Sequence, residues 1–157
     1  MTTNIWINKI MRDIPGFMGV YSSDNIEDPI SLPSYLITNF SGYNSPGSHF
    51  ITILFIEGIC VYFDPLNLSY IPDDILMYMH RNSSYVYRID VATQHPSSGF
   101  CGFYSLLPIM MYVNGISLYD GFHLFQLPSL ENDYKCIEIL TKLFRLYYFE
   151  YSLKILL

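Results

Sequence analysis

A cysteine, a histidine and an acid do chemistry together when the fold lets them meet. Cys101 stands in the stretch TQHPSSGFCGFYS (93–105), after a polar loop with Pro96, Ser97, Ser98 and Gly99. An apolar, helix-like run follows it: Phe103, Tyr104, Leu106, Leu107, Ile109, Met110 and Met111. A thiol at such a junction sees backbone N–H groups that have no intrahelical partner, and a helix dipole that favours an anion. The dipole is worth about 0.3–1 kcal/mol, while one pKa unit corresponds to about 1.4 kcal/mol. It therefore leaves a thiol of ordinary pKa, about 8.5, largely protonated at neutral pH. A reactive thiolate needs a second, basic partner, and the natural one is a histidine.

The elements that must carry such a partner to Cys101 are legible in the hydrophobic pattern. His49 opens the run 49–56, which is apolar on both faces and so suits a central strand covered on both sides. Glu57-Gly58 is a hairpin signal. The run 59–63 then returns antiparallel, and Asp64 closes it. In an antiparallel pair the first residue of one strand lies near the last of the other, so the hairpin brings His49 beside Asp64, with the register left open. Around this hairpin the pattern predicts a short helix over 5–11 with Trp6 and Ile10 on one face, stopped by Pro15-Gly16. It predicts strands over 19–21, 34–40 and 84–91, and loops over 24–33 and 41–48. Pro72, Asp73 and Asp74 introduce a helix to about His80. The helix begun at Cys101 runs to a cap signal at Asn114-Gly115, although Pro108 inside it should cost a hydrogen bond and kink it. A loop over 116–128 precedes a long helix from Ser129. Its apolar stripe is Ile137, Leu140, Phe144, Tyr147 and Tyr151, and its polar stripe is Lys135, Glu138, Lys142 and Arg145.

The order His49, Asp64, Gln94, Cys101, with the flanks GSHF, VYFDP and TQHPSSGFCG, resembles the adenovirus protease (adenain) family. More distantly it is similar to the Ulp/SENP SUMO proteases of the same clan. The segments GFMGVYSSD (16–24) and SYLITNF (34–40) stand at a similar distance before the histidine, so the resemblance covers about residues 10–115. It implies an α+β, papain-like cysteine protease fold: a central mixed or antiparallel sheet flanked by helices, with the nucleophile at the N-terminus of the central helix. Residues 1–157 would form one peptidase domain. It implies a cysteine endopeptidase that cleaves viral structural precursors near glycine-containing sites during particle maturation, as in adenoviruses, virophages and Polinton/Maverick elements. Cys101 would then be the nucleophile, and His49 the general base or the imidazolium of an ion pair. Asp64 would hold the histidine tautomer, and Gln94 would donate its amide to the oxyanion together with the Cys101 N–H. The bland alternatives are a buried cysteine, a strand-end histidine facing water, a turn aspartate before Pro65 and a loop-capping glutamine.

Three features depart from the family. Phe50 follows His49 where the clan carries tryptophan, and Asp64 stands where the adenoviral enzyme has glutamate. No cysteine lies between Cys60 and Cys101, so an activating peptide would find no matching thiol for the disulfide seen in the adenoviral enzyme. The alternatives from other classes are an isopeptidase acting on ubiquitin-like modifiers, a same-clan acyltransferase and an inactive scaffold.

Composition narrows the partners. Of 157 residues, 51% are hydrophobic and 14% charged, which argues for a packed core and against disorder. Ala92 is the only alanine, which hints at an AT-rich, virus-like genome. Eight basic and fourteen acidic residues give a net charge of −6, and the basic ones are scattered, so no phosphate-binding footprint forms and DNA is not an expected partner. Three cysteines without a CxxC spacing point to thiols rather than to disulfides or zinc, and no cofactor is expected. Position His95 faces solvent in this reading, His80 ends a helix, Cys60 is core, and no spacing rule links His123 to Cys136. The N-terminus MTTNIWINKI lacks the basic and apolar regions of a signal peptide. The longest stretch without Asp, Glu, Lys or Arg, 91–119, is broken by Pro96, Gly99, Pro108 and Asn114, and so is unsuited to span a bilayer. The expectation is a soluble protein acting on protein substrates inside a host cell.

Overall fold

The computed structural model describes residues 3–156. Five strands form one sheet in sequence order: β1 (Phe17–Tyr21), β2 (Ser34–Asn39), β3 (Phe50–Ile56), β4 (Ile59–Phe63) and β5 (Tyr85–Arg88). The three inner strands pair antiparallel, while β1 on β2 and β5 on β4 are parallel, so the sheet is mixed. The helices are α1 (Asn4–Met11), α2 (Asp73–Asn82), α3 (Cys101–Tyr104), α4 (Leu107–Val113), α5 (Leu118–Phe122) and α6 (Glu131–Leu156). The fold is α+β, with helices flanking a mixed sheet, as the resemblance implied.

The sheet is covered on both faces. On one side, Leu54, Val61 and Phe63 pack with Ile7 and Met11 of α1, Tyr104 of α3, Leu107 and Met110 of α4, and Cys136 and Leu140 of α6. On the other, Ile51, Ile53, Phe55 and Tyr62 pack with Ile75, Tyr78 and Met79 of α2. Strand β3 therefore buries alternate side chains in two different cores, which is why its sequence shows no polar alternation. The turn into β4 needs two left-handed residues. Glu57 (φ 47°) and Gly58 (φ 85°) supply them, the backbone of a tight hairpin whose twist matches its strands. The ladder then runs from Ile56 opposite Ile59 to Thr52 opposite Phe63, and leaves His49 and Asp64 just past the same end.

The helix expected from Cys101 to Asn114 is two helices. Pro108 has no N–H to give the carbonyl of Tyr104, so the first turn closes at Tyr104 and Pro108 falls in the opening turn of α4, where a missing donor is harmless. At the break, buried Thr52 of β3 donates its hydroxyl to the Ser105 carbonyl at 2.5 Å, and Ser105 donates its own to the Phe50 carbonyl at 3.1 Å. These two bonds tie the end of α3 to β3. Other elements depart in smaller ways. The segment expected as loop over 116–128 holds α5, whose N-cap Ser117 accepts from the Asp120 N–H at 3.3 Å. On α1, Ile7 and Met11 are buried, whereas Trp6 lies at the surface against Phe103. On α6 the buried seam is Asn132, Asp133, Cys136, Leu140 and Leu143, and Tyr151 is exposed, so the seam is rotated from the expected stripe.

Replacing Thr52 with valine keeps the shape and removes the hydroxyl that satisfies the Ser105 carbonyl. A buried acceptor left without a partner costs about 1–3 kcal/mol. The Thr52→Val variant should lose stability of that size in urea unfolding with an unchanged m-value.

Candidate active site

His49, Asp64 and Cys101 meet at the end of the β3–β4 hairpin. The Nε2 of His49 lies 2.6 Å from Asp64 Oδ1, and both groups are buried, with relative exposures of 7% and 1%. The edge of the Phe40 ring rests against the imidazole, with centroids 5.1 Å apart. Asp64 also accepts the Leu66 N–H on Oδ1 at 2.9 Å and the Leu68 N–H on Oδ2 at 3.0 Å. It thus does both jobs open to it in the sequence: it shapes the turn after Pro65 and holds the histidine. With Nε2 engaged, the other ring nitrogen is left for the Cys101 thiol, which lies beside His49 and the backbone N–H groups of Phe50 and Gly102, close enough to feel their charge and dipoles.

Gln94 stands on the wall of the same groove. His49, Gln94 and Cys101 line a cleft of about 730 Å³, with Tyr21, the 41–48 loop and Pro96, Ser98 and Gly99. No Asp, Glu, Lys or Arg lines it. The glutamine is 3% exposed, and its backbone N–H donates to the Pro65 carbonyl at 3.0 Å. Its Nε2 donates to the Ser98 carbonyl at 2.7 Å, leaving a second amide hydrogen unassigned, and its buried Oε1 has no partner. The structure therefore bonds His49 to Asp64 directly and sets Cys101 and Gln94 beside them on the wall of one groove. Among the other candidates, Cys60 and Cys136 are buried free thiols, and His80 is exposed at the end of α2. His95 is half-buried rather than facing solvent, with Nδ1 accepting the Ser97 N–H at 3.1 Å. Among the described residues, no group of three or more His, Cys, Asp and Glu could hold a metal ion. None of the helices described is long and apolar enough to cross a membrane.

No protein-family model and no curated protein matches the chain. Among solved structures, the crystal structure of the selenomethionine form of the ASFV pS273R protease is similar at a TM-score of 0.48 and 19% identity. The match covers 64% of this chain and 42% of that one, so this chain spans less than half of that protein's length.

Several positioning groups gave no catalytic signal in the sequence. Asn39 Oδ1 accepts the N–H groups of Ser41 at 3.0 Å and Ser48 at 3.1 Å, closing the neck of the loop that leads into His49. Asp24 accepts the Tyr43 N–H at 2.8 Å, and its carboxylate lies 2.7 Å from where a Cβ on Gly42 would stand, so a side chain there would push it aside. Asn132 and Asp133 share the helical phase of Cys136, Leu140 and Leu143. Two polar residues in an apolar phase are the signal that could have found them.

The electrostatics follow from these contacts. Burial favours the neutral imidazole, but hydrogen bonds and charge from Asp64 and Cys101 outweigh it and raise the His49 pKa to about 9. Burial favours protonated Asp64 as well. The His49 hydrogen bond and charge, with the Leu68 and Leu66 N–H groups, hold its carboxyl below the usual range. Burial likewise opposes a Cys101 thiolate, yet the His49 hydrogen bond, the Phe50 N–H, the His49 charge and the Gly102 N–H lower the thiol pKa. Both shifts favour the thiolate–imidazolium form: His49 keeps its proton up to about 9, and the Cys101 thiol gives its own up below its ordinary value. Iodoacetamide alkylation of Cys101 should therefore rise with pH at an inflection below the ordinary thiol value of about 8.5. In His49→Ala, where burial remains and the imidazole is gone, the inflection should move above that value.

Proposed function

We propose that the chain is a cysteine peptidase with Cys101 as nucleophile. The observation that carries this reading is one buried imidazole bonded to Asp64 through Nε2 and set beside the half-buried Cys101 thiol on the wall of one groove. Such a constellation activates a nucleophile without any further group. The thiolate of Cys101 adds to a peptide carbonyl carbon, and the oxygen that becomes negative is met by the Cys101 N–H and the Gln94 amide. His49 gives its proton to the leaving nitrogen, and the C–N bond breaks to leave a thioester. A water then loses a proton to His49 and attacks the thioester, and the acid product and the Cys101 thiolate separate. Asp64 keeps the imidazole in the tautomer and orientation these transfers need.

The family resemblance in the sequence adds the finer part of the proposal. The 1–157 unit is read as an adenain-like endopeptidase that matures viral structural precursors at glycine-containing sites inside a host cell. The absence of Asp, Glu, Lys and Arg from the groove lining fits neutral substrate segments.

Incubation with the structural proteins encoded beside it, read by mass spectrometry, should give discrete cuts next to glycine. Cys101→Ala should abolish them, and retained cleavage in that variant would reject the assignment. Gln94→Ala should lower kcat by about 10²–10³. Preference for a ubiquitin-like reporter over these precursors would move the reading to an isopeptidase.

A further inference from the structure

Asp133 is a buried carboxylate that the peptidase chemistry leaves without a task. It sits in the first turn of α6 at 7% exposure, and among the described residues no cation lies within ion-pair distance of it. The N-terminus of a long helix favours its charge, but a carboxylate is still costly to bury for packing alone. Its partners explain it better. Oδ1 accepts the Ser98 hydroxyl at 2.9 Å and the Tyr104 hydroxyl at 2.8 Å. Tyr104 ends the four-residue helix that Cys101 begins. Ser98 accepts the Phe100 N–H on its Oγ at 3.2 Å, and its carbonyl accepts Gln94 Nε2 at 2.7 Å. One oxygen atom therefore grips both the loop that holds the Gln94 amide and the helix that presents the thiol. The next residue back, Asn132, reinforces the grip by donating to the Thr93 carbonyl at 2.9 Å and to the Leu127 carbonyl at 2.8 Å.

The Gln94 side chain has no other tether: its Oε1 is unpartnered, so the Ser98 carbonyl alone sets the rotation of the amide. An oxyanion donor is useful only if its N–H is aimed before charge develops. We infer that Asp133 is a positioning residue, acting through Ser98 to fix the Gln94 amide and, through Tyr104, to seat the turn that carries Cys101. This rests on the peptidase reading and assigns α6 a part in it.

A double-mutant cycle tests the inference, with kcat and KM measured on internally quenched glycine-containing peptides. Ser98→Ala, which frees the loop from Asp133, should lower kcat by roughly tenfold, part of the donor's full effect, with little change in KM. An interaction made only in the transition state behaves in that way. In a Gln94→Ala background the same substitution should change kcat less than about twofold, because two steps of one pathway do not add. Asp133→Asn keeps an oxygen acceptor for both hydroxyls and should stay near wild type, while Asp133→Ala should match or exceed the loss in Ser98→Ala. Iodoacetamide alkylation of Cys101 should be unchanged in Ser98→Ala. Multiplicative losses from Ser98→Ala and Gln94→Ala, or a loss confined to KM, would overturn the inference while Cys101→Ala still abolished cleavage. Cleavage that survives Cys101→Ala would instead remove the peptidase reading beneath it.

Discussion

The site depends on one contact, the 2.6 Å bond between His49 and Asp64 inside the protein. Each group is costly to bury alone, and removing one member of such a pair typically costs about 3–5 kcal/mol because the other is stranded. The fold meets that cost locally. Asp64 receives two backbone N–H groups in addition to the imidazole, so its lone pairs are filled from its own turn. The hairpin sets the distance: β3 and β4 pair from the Glu57-Gly58 turn outward, and both residues emerge at the open end of the ladder. A slip of one residue would turn either side chain to the other face and separate them. Since Leu54 and Phe63 belong to one core, and Ile53 and Tyr62 to the other, a slip would also expose the apolar residues of both. The register that protects the core is thus the register that builds the histidine–acid pair.

Cys101 is held differently, because nothing nearby in sequence fixes it to the hairpin. Its helix is a single turn cut short by Pro108, and a turn that short is not stable by itself. It persists because it is pinned from two sides. Thr52, Ser105 and Phe50 bind its end to β3, and Tyr104 reaches Asp133 on α6. The proline that looks like a flaw in the helix pattern has a structural consequence. By ending α3 early it frees the Ser105 region to bond sideways to the strand that follows His49, so thiol and imidazole share one scaffold.

What the sequence discloses and what it hides divide along one physical line. The β3–β4 hairpin, α2 and the existence of α6 follow from local rules: hydrophobic runs, a turn that tolerates positive φ, and acidic residues in first turns. The relation of His49 to Asp64 was legible for the same reason, since both lie on one hairpin. Contacts between distant segments were not. The parallel placement of β1 and β5 depends on crossovers whose course no short window encodes. The seam of α6 departs from the expected stripe because its first turn sends inward the polar Asn132 and Asp133, whose partners, Thr93, Ser98 and Tyr104, lie far off in sequence. The helix α5 was missed because five residues carry too little periodicity to register. Gln94 is proposed from its place in the motif, while its tether to Ser98 has no sequence signature.

The chain carries a net charge of −6, a setting that would seem hostile to a thiolate. Screening, and the absence of acidic side chains from the groove lining itself, remove part of that difficulty. Charges exposed to water are screened beyond about 8–10 Å at physiological salt, and no acidic side chain lines the groove. What remains is local. Burial raises the Cys101 pKa, and the N-terminus of a four-residue helix returns at most the order of 1 kcal/mol. No lysine or arginine faces the groove to help. The lowered pKa of the thiol must then come chiefly from the imidazole, with the Phe50 and Gly102 N–H groups in support. The imidazole can serve because Asp64 first, and Cys101 with it, keep it charged up to a pKa of about 9 against its own burial. Thiol, imidazole and carboxylate therefore titrate as one unit, and the acid that lies behind the groove acts on the thiol through the histidine between them.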